Sequence, residues 1–184
     1  PANMGDLTRN QRKVRETLCT FDLVICLGAD LLRMSPYSPV DPLPDAMPVI
    51  HISERDRELG KNYATQIAIR GNVKQTLLAL LPPLRAGRTN TQTAEAEHRL
   101  HELRAHNWTA QREQARTQTL STGAVTPIDP RYLMMCLADS LPSDAIVVEE
   151  ALTAAPALST FLPMRDSKSF YGLASGGLGF ALPG

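Results

Sequence analysis

The fold is decided by the stretch Phe21-Asp-Leu-Val-Ile-Cys-Leu27, which Gly28 closes. Such a continuous apolar run is typical of a strand that is buried on both faces of a parallel sheet. Shorter runs at residues 48–52 and 66–69 predict two more strands, and a leucine-rich helix follows the third. Strands that alternate with helices favour an α/β fold with a Rossmann-like, doubly wound parallel sheet.

Helix signals flank these strands. Val14 and Leu18 are four residues apart and indicate a weakly amphipathic helix over residues 9–19. Asn72 is a candidate N-cap for the helix after the third strand, and Pro82-Pro83 should end that helix, because proline lacks the amide that a helix interior uses.

A proline-rich loop follows the first strand. Five of the 14 prolines lie in residues 36–48, where each fixes its own φ and restrains the residue before it. Residues 34–48 are therefore expected to form a long, stiff loop at the carboxyl end of that strand.

The second half of the chain predicts a partial second α/β unit. Residues 84–126 are polar, with a linker helix expected over 93–120 and Trp108 as its anchor. Beyond them we predict a helix that begins at Asp129-Pro130, a strand at 145–148, a helix at 153–161 and a short strand at 169–171. The predicted divisions are a domain at 1–84, a linker at 85–126, and the start of another domain at 127–184.

Charge and cysteine content exclude some classes of protein. The 19 basic residues balance the 19 acidic ones, so no positive excess is available for nucleic acid or an anionic membrane. The three cysteines (Cys19, Cys26 and Cys136) form neither a CxxC pair nor an even set, and they are expected to be buried and reduced. We therefore expect a soluble, cytoplasmic protein.

Five of the 11 glycines fall in the last thirteen residues, Gly172-Leu-Ala-Ser-Gly-Gly-Leu-Gly-Phe-Ala-Leu-Pro-Gly184, here called the glycine segment. Glycines at a strand-to-helix turn let the backbone approach a ligand and aim free amides at an anion or a ring. The spacing alone is equally compatible with close packing of a helix on a strand.

The order of these parts resembles a known enzyme family. A strand that ends in Val-Val-Glu-Glu-Ala-Leu-Thr153 is followed, about twenty residues later, by Ser175-Gly-Gly-Leu-Gly-Phe-Ala-Leu-Pro183. This pattern resembles thiamine-diphosphate-dependent decarboxylases and acetohydroxyacid synthases, most closely the benzoylformate decarboxylase type. Residues 22–29, with Val49-Ile-His-Ile52 and Glu58-Leu-Gly-Lys-Asn62, are similar to the central domain of the same enzymes.

The resemblance implies a cofactor site at the glycine segment. Thr153 would hydrogen-bond the diphosphate of thiamine diphosphate beside the backbone of Leu152, and the backbone at Gly176 would contact the aminopyrimidine ring. Leu178, next to Gly177, would be the apolar prop that bends the cofactor. From the residues alone, Thr153 could equally cap a helix and Leu178 could be core.

The resemblance also implies what this chain lacks. No Gly-Asp-Gly followed by paired asparagines occurs, so ligands for Mg²⁺ are expected beyond Gly184. The family's activating glutamate belongs to a domain that is not in this sequence. We therefore expect a fragment, inactive alone, of an oligomeric enzyme (dimer or tetramer) that decarboxylates or joins 2-oxo acids.

Ser35 stands where the benzoylformate decarboxylase type carries an active-site histidine. It is a candidate substrate-pocket residue, although serine cannot transfer a proton near neutral pH as imidazole does. The alternative assignment for Ser35 is a simple loop residue.

The alternative function is a non-catalytic, Rossmann-like module that binds FAD or ADP or acts as a scaffold. Relatives with a nucleotide carry acids after the second strand, whereas this chain reads Ile52-Ser-Glu-Arg55, so Glu54 and Asp56 are expected to be surface charges. His98 and His101 are three residues apart on the linker helix but have no third metal ligand in view, so solvated positions are favoured.

Overall fold

The structure is a computed structural model that describes residues 2–34, 37–151, 153–172, 179 and 181. It contains two compact units, one formed by Asp6–Ala96 and the other by Pro1–Gly5 with Glu97–Gly184. No helix in the described ranges combines the length and apolarity that crossing a bilayer requires.

A three-stranded parallel sheet forms the first unit. Its strands are β1 (Val24–Leu27), β2 (Val49–Ser53) and β3 (Ile67–Arg70), hydrogen-bonded in that order. In the register, Val24 lies beside Val49, and Ile50 lies beside Ile67. The prediction of an α/β fold with a parallel sheet is confirmed.

The two faces of this sheet differ in burial. Cys26, Val49 and Leu31 form a buried cluster on one face. Ile25 and Leu27 point to the opposite face and are 50% and 42% exposed. The prediction that the first strand is buried on both faces was therefore wrong, because the described residues cover only one face of it.

The first helix, α1 (Gln11–Leu18), matches its prediction. Asn10 caps it by accepting a hydrogen bond from the amide of Lys13, and Val14 and Leu18 are its buried residues. Because Val14 and Leu18 are four residues apart, they lie on the same face of the helix, and this face is buried.

The proline-rich loop is held by one side chain of α1. Arg15 donates to the carbonyl oxygens of Asp41 (3.1 Å) and Leu43 (2.8 Å) and to the carboxylate of Asp45 (3.0 Å). Among its described residues, the stretch 34–48 forms neither helix nor strand, as predicted.

A second helix, α2 (Val73–Ala86), follows β3 after Asn72, whose side chain caps it. The prediction that Pro82-Pro83 would end this helix was wrong, because both prolines lie inside it. The helix instead stops at Gly87, whose amide donates to the carbonyl of Pro83 at 2.9 Å. Proline cannot donate a hydrogen bond from its own nitrogen, but its carbonyl oxygen can still accept one from an amide in the next turn.

Two helices replace the single linker helix that the composition suggested. They are α3 (Asn90–Ala105) and α4 (Trp108–Thr122), separated at Asn107, which caps α4 through the amide of Ala110. The predicted anchoring by Trp108 is confirmed, because its indole Nε1 donates to the carbonyl of Ser159 at 3.2 Å.

The second unit packs α4 against α5 (Pro130–Ser140) and α6 (Ala155–Phe161). Its buried cluster is Ala115, Met135 and Phe161. Asp129 caps α5 with proline at the first turn, as predicted. Two parallel strands complete the unit, β4 (Val147–Glu149) and β5 (Phe170–Gly172).

The three cysteines are free, but Cys19 is exposed, Cys26 is buried and Cys136 is intermediate. The expectation of burial was therefore wrong for Cys19, which directly follows the last turn of α1.

An ion pair between α4 and α5 offers a test of this packing. Arg116 donates to both carboxylate oxygens of Asp139 at 2.7 and 2.8 Å, and this hydrogen bonding lowers the pKa of Asp139. Replacement of Asp139 by Asn should reduce the free energy of unfolding by about 1 kcal/mol at pH 7, because partly exposed pairs contribute at most that much.

A depressed carboxyl pKa contributes stability above the ordinary value of about 3.9, and this contribution disappears as the pH falls through the folded pKa. Urea unfolding should therefore separate wild type from Asp139→Asn at pH 7 and bring them together near pH 2. Asp144→Asn, in the exposed turn after α5, is the control. An unchanged difference at both pH values would contradict this account.

Candidate functional site

The candidate site lies where β4 and β5 end. The strands are parallel, with Val147 beside Phe170 and Glu149 beside Gly172. Carboxyl ends of parallel strands meet at one edge of a sheet, which is where open α/β sheets bind ligands. The segment after β4, which contains Thr153, and the glycine segment after β5 therefore begin at the same edge.

Thr153 is exposed and precedes α6. The N-cap position of α6 is Ala154, and no side chain caps the helix there. The helix-capping role considered for Thr153 therefore does not apply. An exposed hydroxyl at this edge can donate a hydrogen bond to a phosphate oxygen.

Glu150 contributes an interaction that the sequence analysis did not predict. Its side chain is partly buried, and its carboxylate accepts hydrogen bonds from the amides of Gly179 and, at 2.9 Å, Ala181. Two amides of the glycine segment are thus bound to the protein's own anion rather than directed at a ligand. The sequence does contain one signal for this contact. An acid directly follows one strand, and the neighbouring strand is followed by several glycines.

Glu149 ends β4 with a second carboxylate. Its Oε1 atom is buried and has no hydrogen-bond partner among the residues that the structure describes. Its Oε2 lies 3.7 Å from the point where a side chain at Gly172 would begin. An ionised carboxylate only accepts hydrogen bonds, so it does not bind phosphate oxygens.

The other predicted cofactor or pocket residues, Ser35, Leu152, Gly176, Gly177 and Leu178, lie outside the described residues. Thr153 is the one predicted site residue that the structure places.

The carboxyl edge of the first sheet is occupied by its own polar pairs. Glu54 accepts from the side-chain amide of Asn72 at 2.9 Å, and Arg55 donates to Asp30 at 2.8 Å. Asp56 lies 3.6 Å from Arg70. The acids after β2 thus contact the ends of neighbouring strands, and they are exposed, as predicted.

Metal-ligating side chains do not cluster within the described ranges, where no group of three or more His, Cys, Asp or Glu residues could hold an ion. His98 instead lies 3.5 Å from Glu102, one helical turn away, with both side chains solvated.

Comparison with known proteins finds a family similarity in the first part of the chain. Residues 1–80 match the model of the thiamine pyrophosphate enzyme central domain. This stretch is less than half of the chain, and it is similar to that domain. No curated protein is significantly similar to the chain in sequence.

Solved thiamine diphosphate enzymes share the fold of most of the chain. One is the 4-hydroxybenzoylformate decarboxylase of Rhodococcus jostii RHA1, with a TM-score of 0.61 and 22% identity over 94% of this chain and 29% of that one. Another is the benzoylformate decarboxylase of Polynucleobacter necessarius, with a TM-score of 0.64 and 17% identity over 92% and 28%. The chain therefore spans under a third of the length of either enzyme.

The carboxyl edge of the first sheet can be tested through Asn72, which accepts a hydrogen bond from the amide of Gln75 and donates one to Glu54. Asn72→Asp keeps the capping oxygen but places a second carboxylate against Glu54. Urea unfolding at pH 7 should show a loss of about 1 kcal/mol, since a hydrogen bond is replaced by like-charge repulsion.

Adding Glu54→Gln to Asn72→Asp should restore most of that stability, because the side-chain amide introduced by the second substitution can donate to the new carboxylate. Equal stability of Asn72→Asp and wild type would show that the contact between Asn72 and Glu54 does not stabilise this edge.

Proposed function

We propose that this chain is part of a thiamine-diphosphate-dependent enzyme acting on 2-oxo acids, either a decarboxylase of the benzoylformate decarboxylase type or a related carboligase. The observation that carries the proposal is the shared edge of β4 and β5, with Thr153 after one strand and the glycine segment after the other. The central-domain match and the fold shared with two decarboxylases support it.

The donor chemistry of the described residues fits a diphosphate at Thr153. Its exposed hydroxyl is available at the strand edge, whereas Glu149 and Glu150 are acceptors and would lie beside the anion without binding it. Leu152, Gly176, Gly177 and Leu178 would complete the contacts by the family resemblance. Mg²⁺ would reach the diphosphate through ligands supplied from outside this chain.

When bound, thiamine diphosphate supplies an electron sink for breaking or forming the bond next to a 2-oxo carbonyl. The residues of this chain would bind and orient its diphosphate end. We propose that the chain alone has no turnover, that the intact enzyme is a cytoplasmic homo-oligomer, and that Ser35 lies in its substrate pocket.

The contacts of the described residues after β2 do not favour the alternative, a nucleotide-binding module. The acids after β2, Glu54 and Asp56, already contact Asn72 and Arg70, so no acid in this pair is directed at a ribose.

The role of Thr153 is testable with Thr153→Val, which keeps the size of the side chain and removes the donor. Calorimetric titration of the 184-residue chain with thiamine diphosphate and Mg²⁺ should show roughly tenfold weaker binding, the effect of one hydrogen bond to a charged group. Thr160→Val is the matched control, since the Thr160 hydroxyl donates to the carbonyl of Pro156 within α6. Equal affinities of wild type and Thr153→Val would refute the assignment.

A further inference from the structure

Glu150 makes the most extended contact of the candidate site. It directly follows β4, and its carboxylate accepts hydrogen bonds from two backbone amides of the described residues, through Oε1 from Gly179 and through Oε2 from Ala181. These donors are 29 and 31 residues away in sequence. This side chain therefore ties the backbone at Gly179 and Ala181 to the end of β4.

The backbone at Gly179 fits this arrangement. Its φ is +92°, a conformation that strains residues with a side chain, and no atom of the described residues lies within 4 Å of the position that a Cβ would take. The backbone conformation at this position therefore favours glycine. With this conformation at Gly179, the amides of Gly179 and Ala181 both donate to the carboxylate of Glu150.

The charge of Glu150 makes the contact strong and selective. Hydrogen bonds from backbone amides to a carboxylate are shorter and stronger than neutral ones. A phosphate oxygen could reach the same two amides only by displacing that carboxylate, which would then stand beside it as a like charge. The two amides are therefore withdrawn from anionic ligands.

We propose that Glu150 is a positioning residue that holds the backbone at Gly179 and Ala181 against the end of β4 by accepting hydrogen bonds from their amides. It acts on a cofactor at Thr153 through the position of the backbone, without touching that cofactor. The part of this proposal that concerns the cofactor rests on the proposed function, whereas the contact itself does not.

The test is amide hydrogen exchange, followed by NMR on the ¹⁵N-labelled 184-residue chain. In the wild type, the amides of Gly179 and Ala181 should be protected and shifted downfield. Glu150→Gln has the same shape but one neutral acceptor oxygen, so at least one of these amides should exchange about tenfold faster. Glu149→Gln, one residue away, is the matched control and should leave both amides protected.

Unchanged exchange of both amides in Glu150→Gln would overturn the proposal. If Glu150→Gln fails to fold, the contact can still be tested by a measurement on the wild type alone. In a sample labelled with both ¹³C and ¹⁵N, a scalar coupling through the hydrogen bond, between the Ala181 amide nitrogen and the Glu150 carboxyl carbon, is expected, and its absence would refute the contact.

Addition of thiamine diphosphate with Mg²⁺ separates this proposal from the proposed function. If the cofactor binds and the scalar coupling between Ala181 and Glu150 persists, both the proposed function and the positioning role of Glu150 are supported. Absence of binding, with the coupling present, counts against the proposed function and leaves the positioning role standing. Binding that abolishes the coupling would show that the two amides serve the diphosphate, and the positioning role would be wrong.

Discussion

Parallel pairing of β4 with β5 decides which parts of the second unit can meet. With Glu149 beside Gly172, the segments that leave both strands start at one edge, although more than twenty residues separate them in sequence. The Glu150 carboxylate and the exposed Thr153 then follow one strand, and Gly179 and Ala181 follow the other. An antiparallel pair would put these segments at opposite ends of the sheet.

The sequence predicts most elements of the fold because their signals are local. Asn10, Asn72 and Asp129 each cap the helix that follows, and three apolar runs become the strands of the first sheet. The wrong predictions concern the surroundings of a strand or helix and not its presence. Periodicity cannot show which sheet face is covered, as at Ile25, and a proline pair cannot show whether a helix continues for one more turn.

The candidate site is predictable only in part. Thr153 can be singled out by resemblance, but its exposure depends on where α6 begins. The sequence places an acid, Glu150, directly after a strand, but it does not show which amides that acid contacts, because they lie about thirty positions away. Acids near a glycine-rich turn predict repulsion of phosphate when only charge is considered, whereas the structure uses one of them as an acceptor for backbone amides.

The proposed cofactor edge is that of β4 and β5, not that of the sheet formed by β1, β2 and β3. A ¹⁵N NMR titration with thiamine diphosphate and Mg²⁺ maps the edge directly. The account predicts signal changes concentrated at residues 149–154 and in the glycine segment, with little change at Gly28, Glu54 and Asn72. Changes concentrated at those three residues, or an unchanged spectrum at saturating cofactor, would contradict it.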